Sequence, residues 1–233
     1  MAKRVGEPGG VGTDIGGGQG GPPPPPPPPF YPSSYVFILS QFHIDNTRAV
    51  DEDTDTVSFG VKIGNAIKAR SQIKHMGDVD NGDHPVNLQF GPVLIDNPAT
   101  LVRMNYLIVN ASVQNQSDLD NFLIQILGTL ASTPVSGGSA WAGFPDFSFW
   151  SEKPRAEIFL GLCDGPVAGD QIQLTGGDLH ALTARFNTHT ETRAYPGADS
   201  SVGCGSNSFY TVTWTIVRIP PPKGVVIPKL QKA

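Results

Sequence analysis

The sequence predicts a mostly β protein: one antiparallel β-sandwich, C2-like or jelly-roll-like, with one or two short helices behind a disordered Gly/Pro-rich arm. Three observations lead there. Alternating apolar and polar residues recur, as in TVSFGVKI and YTVTWTI, and a period of two marks strands with one buried face. No strand–helix–strand rhythm appears, which favours an antiparallel sheet over a parallel one. The charged fraction is 16%, against ~25% in average soluble domains, so Thr, Ser, Asn, Gln and Gly must cover much of the surface.

Residues 1–34 read as the arm. GGVGTDIGGGQGG has the composition of flexible coil, and Pro22 to Pro29 should form a polyproline II rod of ~25 Å at ~3.1 Å per residue. Such an arm serves as a spacer, or as a ligand for an aromatic-lined groove on a partner or a neighbouring copy.

Residues 35–220 carry the sandwich. YVFILSQFHI is the first strand. In TVSFGVKI, Val57, Phe59, Val61 and Ile63 should face the core while Ser58, Gly60 and Lys62 face water. VNLQF repeats the pattern with Val86, Leu88 and Phe90. VLI follows, and then LVRMNYLIVN sets Val102, Met104, Tyr106 and Ile108 on one face. The period then changes. Leu119, Phe122, Leu123, Ile126, Leu127 and Leu130 fall at helical spacing and predict a helix of about thirteen residues, packed on the sheet or closing one end. Ser117 and Asp120 form a weak capping box at its start, where Asp118 and Asp120 also suit the helix dipole. A turn-rich connection follows with Trp141, Phe144, Phe147, Phe149 and Trp150, too many rings to leave wholly in water. AEIFLGL and QIQL are strands, GDLHALTARF contains a short helix, and SFYTVTWTIVRI closes the domain. In that last strand Tyr210, Val212, Trp214 and Ile216 face one way, and Thr211, Thr213 and Thr215 the other. Residues 221–233 form an extended tail.

Two acidic loops are the first candidate site. Asp51, Asp53 and Asp55 stand between the first two strands, and Asp78, Asp80 and Asp83 in a later turn. Calcium takes six to eight oxygens, usually carboxylates from neighbouring loops, and would relieve the repulsion among these charges. The arrangement loosely resembles C2-type sandwiches, in which aspartates from loops at one end hold calcium; the likeness spans the first hundred residues. It implies calcium as cofactor and calcium-dependent binding to a glycan or membrane surface. Against it, DVDNGD contains Asn-Gly, a two-residue hairpin turn, and departs from the EF-hand loop. Its glycine comes one place early, and Gln89 stands where the bidentate Glu belongs.

The second candidate is the polar stretch from Tyr195 to Ser208. Tyr195, Asp199, Ser206 and Asn207 offer a ring and polar groups of the kind that bind carbohydrate, and a loop this long is often functional. The alternative, which weighs more, is a loop pinned by Cys204 to Cys163. Cys163 and Cys204 are the two cysteines, able to close a disulfide loop or to sit reduced as small buried side chains. Gly161-Leu-Cys163-Asp-Gly165 fits a cysteine form of the nucleophile elbow, but Pro166 and Gly169 forbid the helix that must follow it. A hydrolase is therefore the weaker reading. The histidines, His43, His75, His84, His180 and His189, show no zinc spacing. Asn110-Ala-Ser112 and Asn115-Gln-Ser117 match the glycosylation sequon.

Net charge is −5 with no basic block, which argues against a nucleic-acid partner. No apolar run approaches the ~20 residues that cross a bilayer, and MAKRVGEPGG is not followed by the apolar segment of a cleavable secretory signal. The compartment stays open, although the composition suits an extracellular or assembled protein. The function expected is a non-enzymatic binding or structural module on a Pro-rich spacer. Its partners would be another protein, further copies of itself, or a glycan, and its long terminal strands would suit exchange between copies.

Overall fold

The computed structural model describes residues 30–49, 52–64, 70–111, 115–132, 163–197, 204 and 207–221. Eight strands and two helices run in the order β1 (Ser33–Asn46), β2 (Asp53–Ile63), β3 (Arg70–Val79), β4 (Gly82–Ile95), β5 (Leu101–Asn110), α1 (Gln116–Ser132), β6 (Gly165–Thr175), α2 (Gly176–Leu182), β7 (Thr188–Pro196) and β8 (Phe209–Ile219). They form two four-stranded sheets packed face to face, with orders β4-β1-β8-β7 and β3-β2-β5-β6. Every neighbouring pair is antiparallel. Among the described residues no helix is long and apolar enough to cross a membrane.

The alternating residues of β1, β2, β5 and β8 set the core. Tyr35, Phe37, Val57, Phe59, Tyr106, Trp214 and Ile216 interleave between the sheets, with Tyr210, Val212, Trp214 and Ile216 all buried as their spacing requires. β1 begins two residues earlier than the alternation suggests. Phe30 packs against the core ahead of it, so the domain starts inside the stretch assigned to the arm. A bulge between Leu39 and Gln41 switches the inward residues of β1 from odd to even positions. The connections sort to two poles. β1 starts and β8 ends at one pole, Ser34 pairing with Ile219, and the β1–β2, β3–β4 and β7–β8 links lie at the other.

β2 departs from expectation. Ser58 and Gly60, assigned to a wet face, are buried, because α1 lies across the outer face of the second sheet. Leu119, Leu123, Ile126 and Leu130 of the helix pack there against Leu107 and Val109. The helix is four residues longer than its apolar spacing indicates, since the sheet supplies its C-terminal partners. Asn105 Nδ2 donates to the Leu127 carbonyl at 3.2 Å, while Gln171 Nε2 donates to Leu130 at 2.6 Å and Arg103 Nη1 to Ala131 at 3.3 Å, the last two satisfying carbonyls that a helix end otherwise leaves without partners. Gly60 is required beneath it, because a Cβ there would collide with Asn105 Oδ1. At the other end Asn115, not Ser117, caps the helix: its Oδ1 accepts from Ser117 N at 3.1 Å.

Asn81-Gly82 does not close a hairpin within one sheet. It joins β3, at the edge of the second sheet, to β4, at the edge of the first. Along this seam Gln72 acts as a substitute strand for Gln89, giving Nε2 to its carbonyl at 3.0 Å and taking its N–H at 3.2 Å. Lys74 Nζ bonds the Pro85 and Val86 carbonyls at 2.9 and 3.0 Å. The segment AEIFLGL and the aromatic run from Trp141 to Trp150 lie outside the described residues.

Candidate functional site

The two acidic loops face opposite ways. Asp53 and Asp55 point into the far pole of the sandwich at 0% and 1% exposure. Asp53 accepts four hydrogen bonds: from Arg48 N and Ala49 N at 2.7 Å each, from Asn110 Nδ2 at 3.0 Å and from the Tyr210 hydroxyl at 2.6 Å. It ties the β1–β2 link to β5 and β8. Asn110, whose Oδ1 also accepts from Thr54 N at 2.8 Å, is thereby buried and committed, so its sequon is closed in the fold.

The Tyr210 hydroxyl also lies 2.9 Å from Asp55 Oδ2. A phenol has one proton to give, and Asp53 takes it. The second contact is therefore made by a protonated Asp55 donating to the phenol oxygen. Burial raises the Asp55 carboxyl well above its ordinary value, and the neighbouring Asp53 charge adds to the effect. Burial likewise pushes the Tyr210 phenol far up. Asp55 Oδ1 has no hydrogen-bond partner, as suits one half of a neutral acid.

Asp78, Asp80 and Asp83 are exposed. Asp78 Oδ1 accepts from Thr54 Oγ1 at 2.8 Å, and Asp83 Oδ1 meets His43 Nδ1 at 2.8 Å; that hydrogen bond raises the His43 pKa. Asp51 lies outside the described residues. Asp53 and Asp55 thus do not converge with the later aspartates, and among the described residues no three His, Cys, Asp or Glu side chains are placed to hold a metal ion.

Tyr195 belongs to β7 rather than to a loop. Its ring is 6% exposed and its hydroxyl bonds that of Tyr106, so it faces the core and not a ligand. Asn207 is exposed, and its carbonyl accepts from Asn46 Nδ2 at 2.6 Å. Asp199 and Ser206 lie outside the described residues. Cys163 and Cys204 are joined in a disulfide with Cα atoms 5.4 Å apart. A bonded sulfur carries no thiolate to attack with.

A second polar cluster closes the seam between β6 and β7. Asp170, 3% exposed, pairs with Arg193, whose Nε also meets Glu191 Oε1 at 2.6 Å. Burial raises the Asp170 pKa to about 6 even though Arg193 pulls it down. The Arg193 guanidinium lies 6.0 Å above the Trp214 ring. Near the chain-end pole, Arg218 Nη1 lies 3.1 Å from His180 Nδ1, and the Phe30 and Tyr31 rings pack 5.5 and 6.1 Å from the His180 ring. These contacts fix the residues that follow the polyproline segment.

A regular surface is presented by the outer face of the first sheet. Its outward residues fall in cross-strand rows: Thr190 beside Thr215 and Ile38, Thr192 beside Thr213 and Gln41, and Thr188 beside Val217. The hydroxyls of Thr190 and Thr215 are 3.0 Å apart, as are those of Thr192 and Thr213. Among the described residues no helix packs on this face, whereas α1 covers its counterpart on the second sheet. The sequence does carry a sign of it, since THTET and TVTWT each place Thr at every second position. No known family matches the chain, and no curated protein matches its sequence.

Proposed function

We propose that the chain is a non-enzymatic structural or binding module, joined through Phe30 to a Pro-rich spacer and acting by protein–protein contacts, foremost with copies of itself. The observation that carries this reading is the outer face of the first sheet, which is regular, nearly free of charge and, among the described residues, not covered by a helix. A surface of that kind gains by association, because no ion must lose its water. The polar groups inside the fold support the same reading. Asp53, Asp55 and Tyr210 bond one another, Asp170 bonds Arg193, and the cysteines are joined, so each holds the scaffold in place. The eight prolines from Pro22 to Pro29 suit a spacer, which would set the module away from a partner. Sedimentation velocity on the full chain across a wide concentration series tests the proposal. A mass that rises with concentration is expected; a single monomer boundary throughout would remove self-association as the function.

A further inference from the structure

We infer that two copies pair through the outer faces of the first sheet about a twofold axis; this rests on the self-association reading above and names its surface. Charge is the first argument. From the Leu94–Ser34–Ile219 row to the Gln41–Thr213–Thr192 row, the outward positions of the face carry no Asp, Glu, Lys, Arg or His. The charged group His43, Asp45 and Asp83 stands beyond them at the far-pole rim. A twofold axis brings a patch against itself, so any net charge would meet its like; this patch brings none.

Area is the second argument. Four strands spaced ~4.8 Å apart, with the four uncharged rows at ~6.8 Å, present a face of ~520 Å². Two such faces bury ~1,040 Å², which clears the ~1,000 Å² expected of a specific interface and suits a dimer that forms with rising concentration. Chemistry is the third. Val36, Ile38 and Val217 supply apolar contact, with Leu94 and Ile219 left 61% and 46% exposed at one end. The Thr190–Thr215 and Thr192–Thr213 pairs already hydrogen-bond within each copy. Burying them therefore strands fewer polar groups than burying free hydroxyls would, and the remaining O–H of each pair can meet a hydroxyl of the other copy. Face-to-face packing of sheets with equal twist, their strands crossing at ~30°, is how such surfaces fit inside single domains.

The test compares the wild type with Thr215→Lys, beside the centre of the face, and with Ile124→Lys, on the exposed side of α1. Sedimentation equilibrium reads the dimer constant, and melting confirms folding. The wild type and Ile124→Lys should dimerise alike. Two lysines forced together near the axis should weaken dimerisation by roughly 100-fold. Thr215→Cys supplies a second readout that does not depend on the lysine variant folding. Mild oxidation of the dimer should give a covalent species whose peptide map shows a 215–215 linkage. If Thr215→Lys dimerises like the wild type, or Thr215→Cys yields no such linkage, the contact lies elsewhere. Self-association then stands and this surface falls. If the wild type is monomeric at every concentration, both fall, and loss of glycan or foreign-protein binding in Thr215→Lys would assign the face to that partner instead.

Discussion

Asp53 and Asp55 stand two residues apart on one strand and contact the same tyrosine, yet replacing each by asparagine should have opposite effects. Asp53 accepts four hydrogen bonds on two oxygens. Asparagine keeps one oxygen and turns an NH2 group toward two donors, so two buried hydrogen bonds are lost at ~1–3 kcal/mol each. Asp53→Asn should therefore cost about 4 kcal/mol, a drop in Tm of roughly 8–16 °C at ~2–4 °C per kcal/mol for a domain of this size. Asp55 is already a neutral donor to Tyr210, and an asparagine Nδ2 can make the same bond. Because burial holds the Asp55 carboxyl well above its ordinary value of 3.8, the unfolded chain gives up this proton before the folded one does. The stability linked to Asp55 is thus fully present below about pH 4 and is lost as pH rises toward the folded value, at about 1.4 kcal/mol per unit. Asp55→Asn has no such proton. It should match the wild type within about 1 kcal/mol near pH 4 and exceed it increasingly as pH rises. Urea unfolding of the three proteins from pH 4 to 8 measures this. A loss in Asp55→Asn equal to that in Asp53→Asn, or a wild-type difference that stays flat with pH, would show that Asp55 is ionised in the fold and would refute the argument.

Two further outcomes follow from the other internal links. Arg193→Met removes the cation paired with buried Asp170 and should cost ~3–5 kcal/mol at pH 8. The loss should shrink at pH 5, below the Asp170 value of about 6, where that carboxyl is largely neutral; an equal loss at both pH values in urea unfolding would count against the charge argument. Replacing both Cys163 and Cys204 by serine opens a loop with a sequence separation of 41. On the chain-entropy relation this should lower stability by about 4 kcal/mol, and a thermal melt that barely moves would show that the bond adds little to the fold.

Alternation alone located β2, β5 and β8, because their inward residues are large and apolar and the outward ones are not. It did not reveal β3 or β7. Ile73 and Met76 of β3 are only partly buried, and β7 sends His189, Glu191 and Arg193 inward at a polar seam, so neither shows apolar periodicity. The acidic residues were legible as a cluster, but not the direction each one faces. Asp53 and Asp55 are buried because β2 is central and its inward side meets Tyr210, while Asp78 lies on an edge strand beside water.

What the sequence determined by itself is the class of the molecule: two-period strands, an amphipathic helix, a proline arm and a surface short of charge. These are local properties, fixed by which residues neighbour one another along the chain. The tertiary structure decided which faces are closed. Ser58 and Thr213 both alternate with apolar neighbours and read alike, yet α1 packs over Ser58 and among the described residues no helix packs over Thr213. Burial of a strand's second face depends on an element distant in sequence, so local periodicity does not carry it. The proposed pairing of two copies rests on that difference.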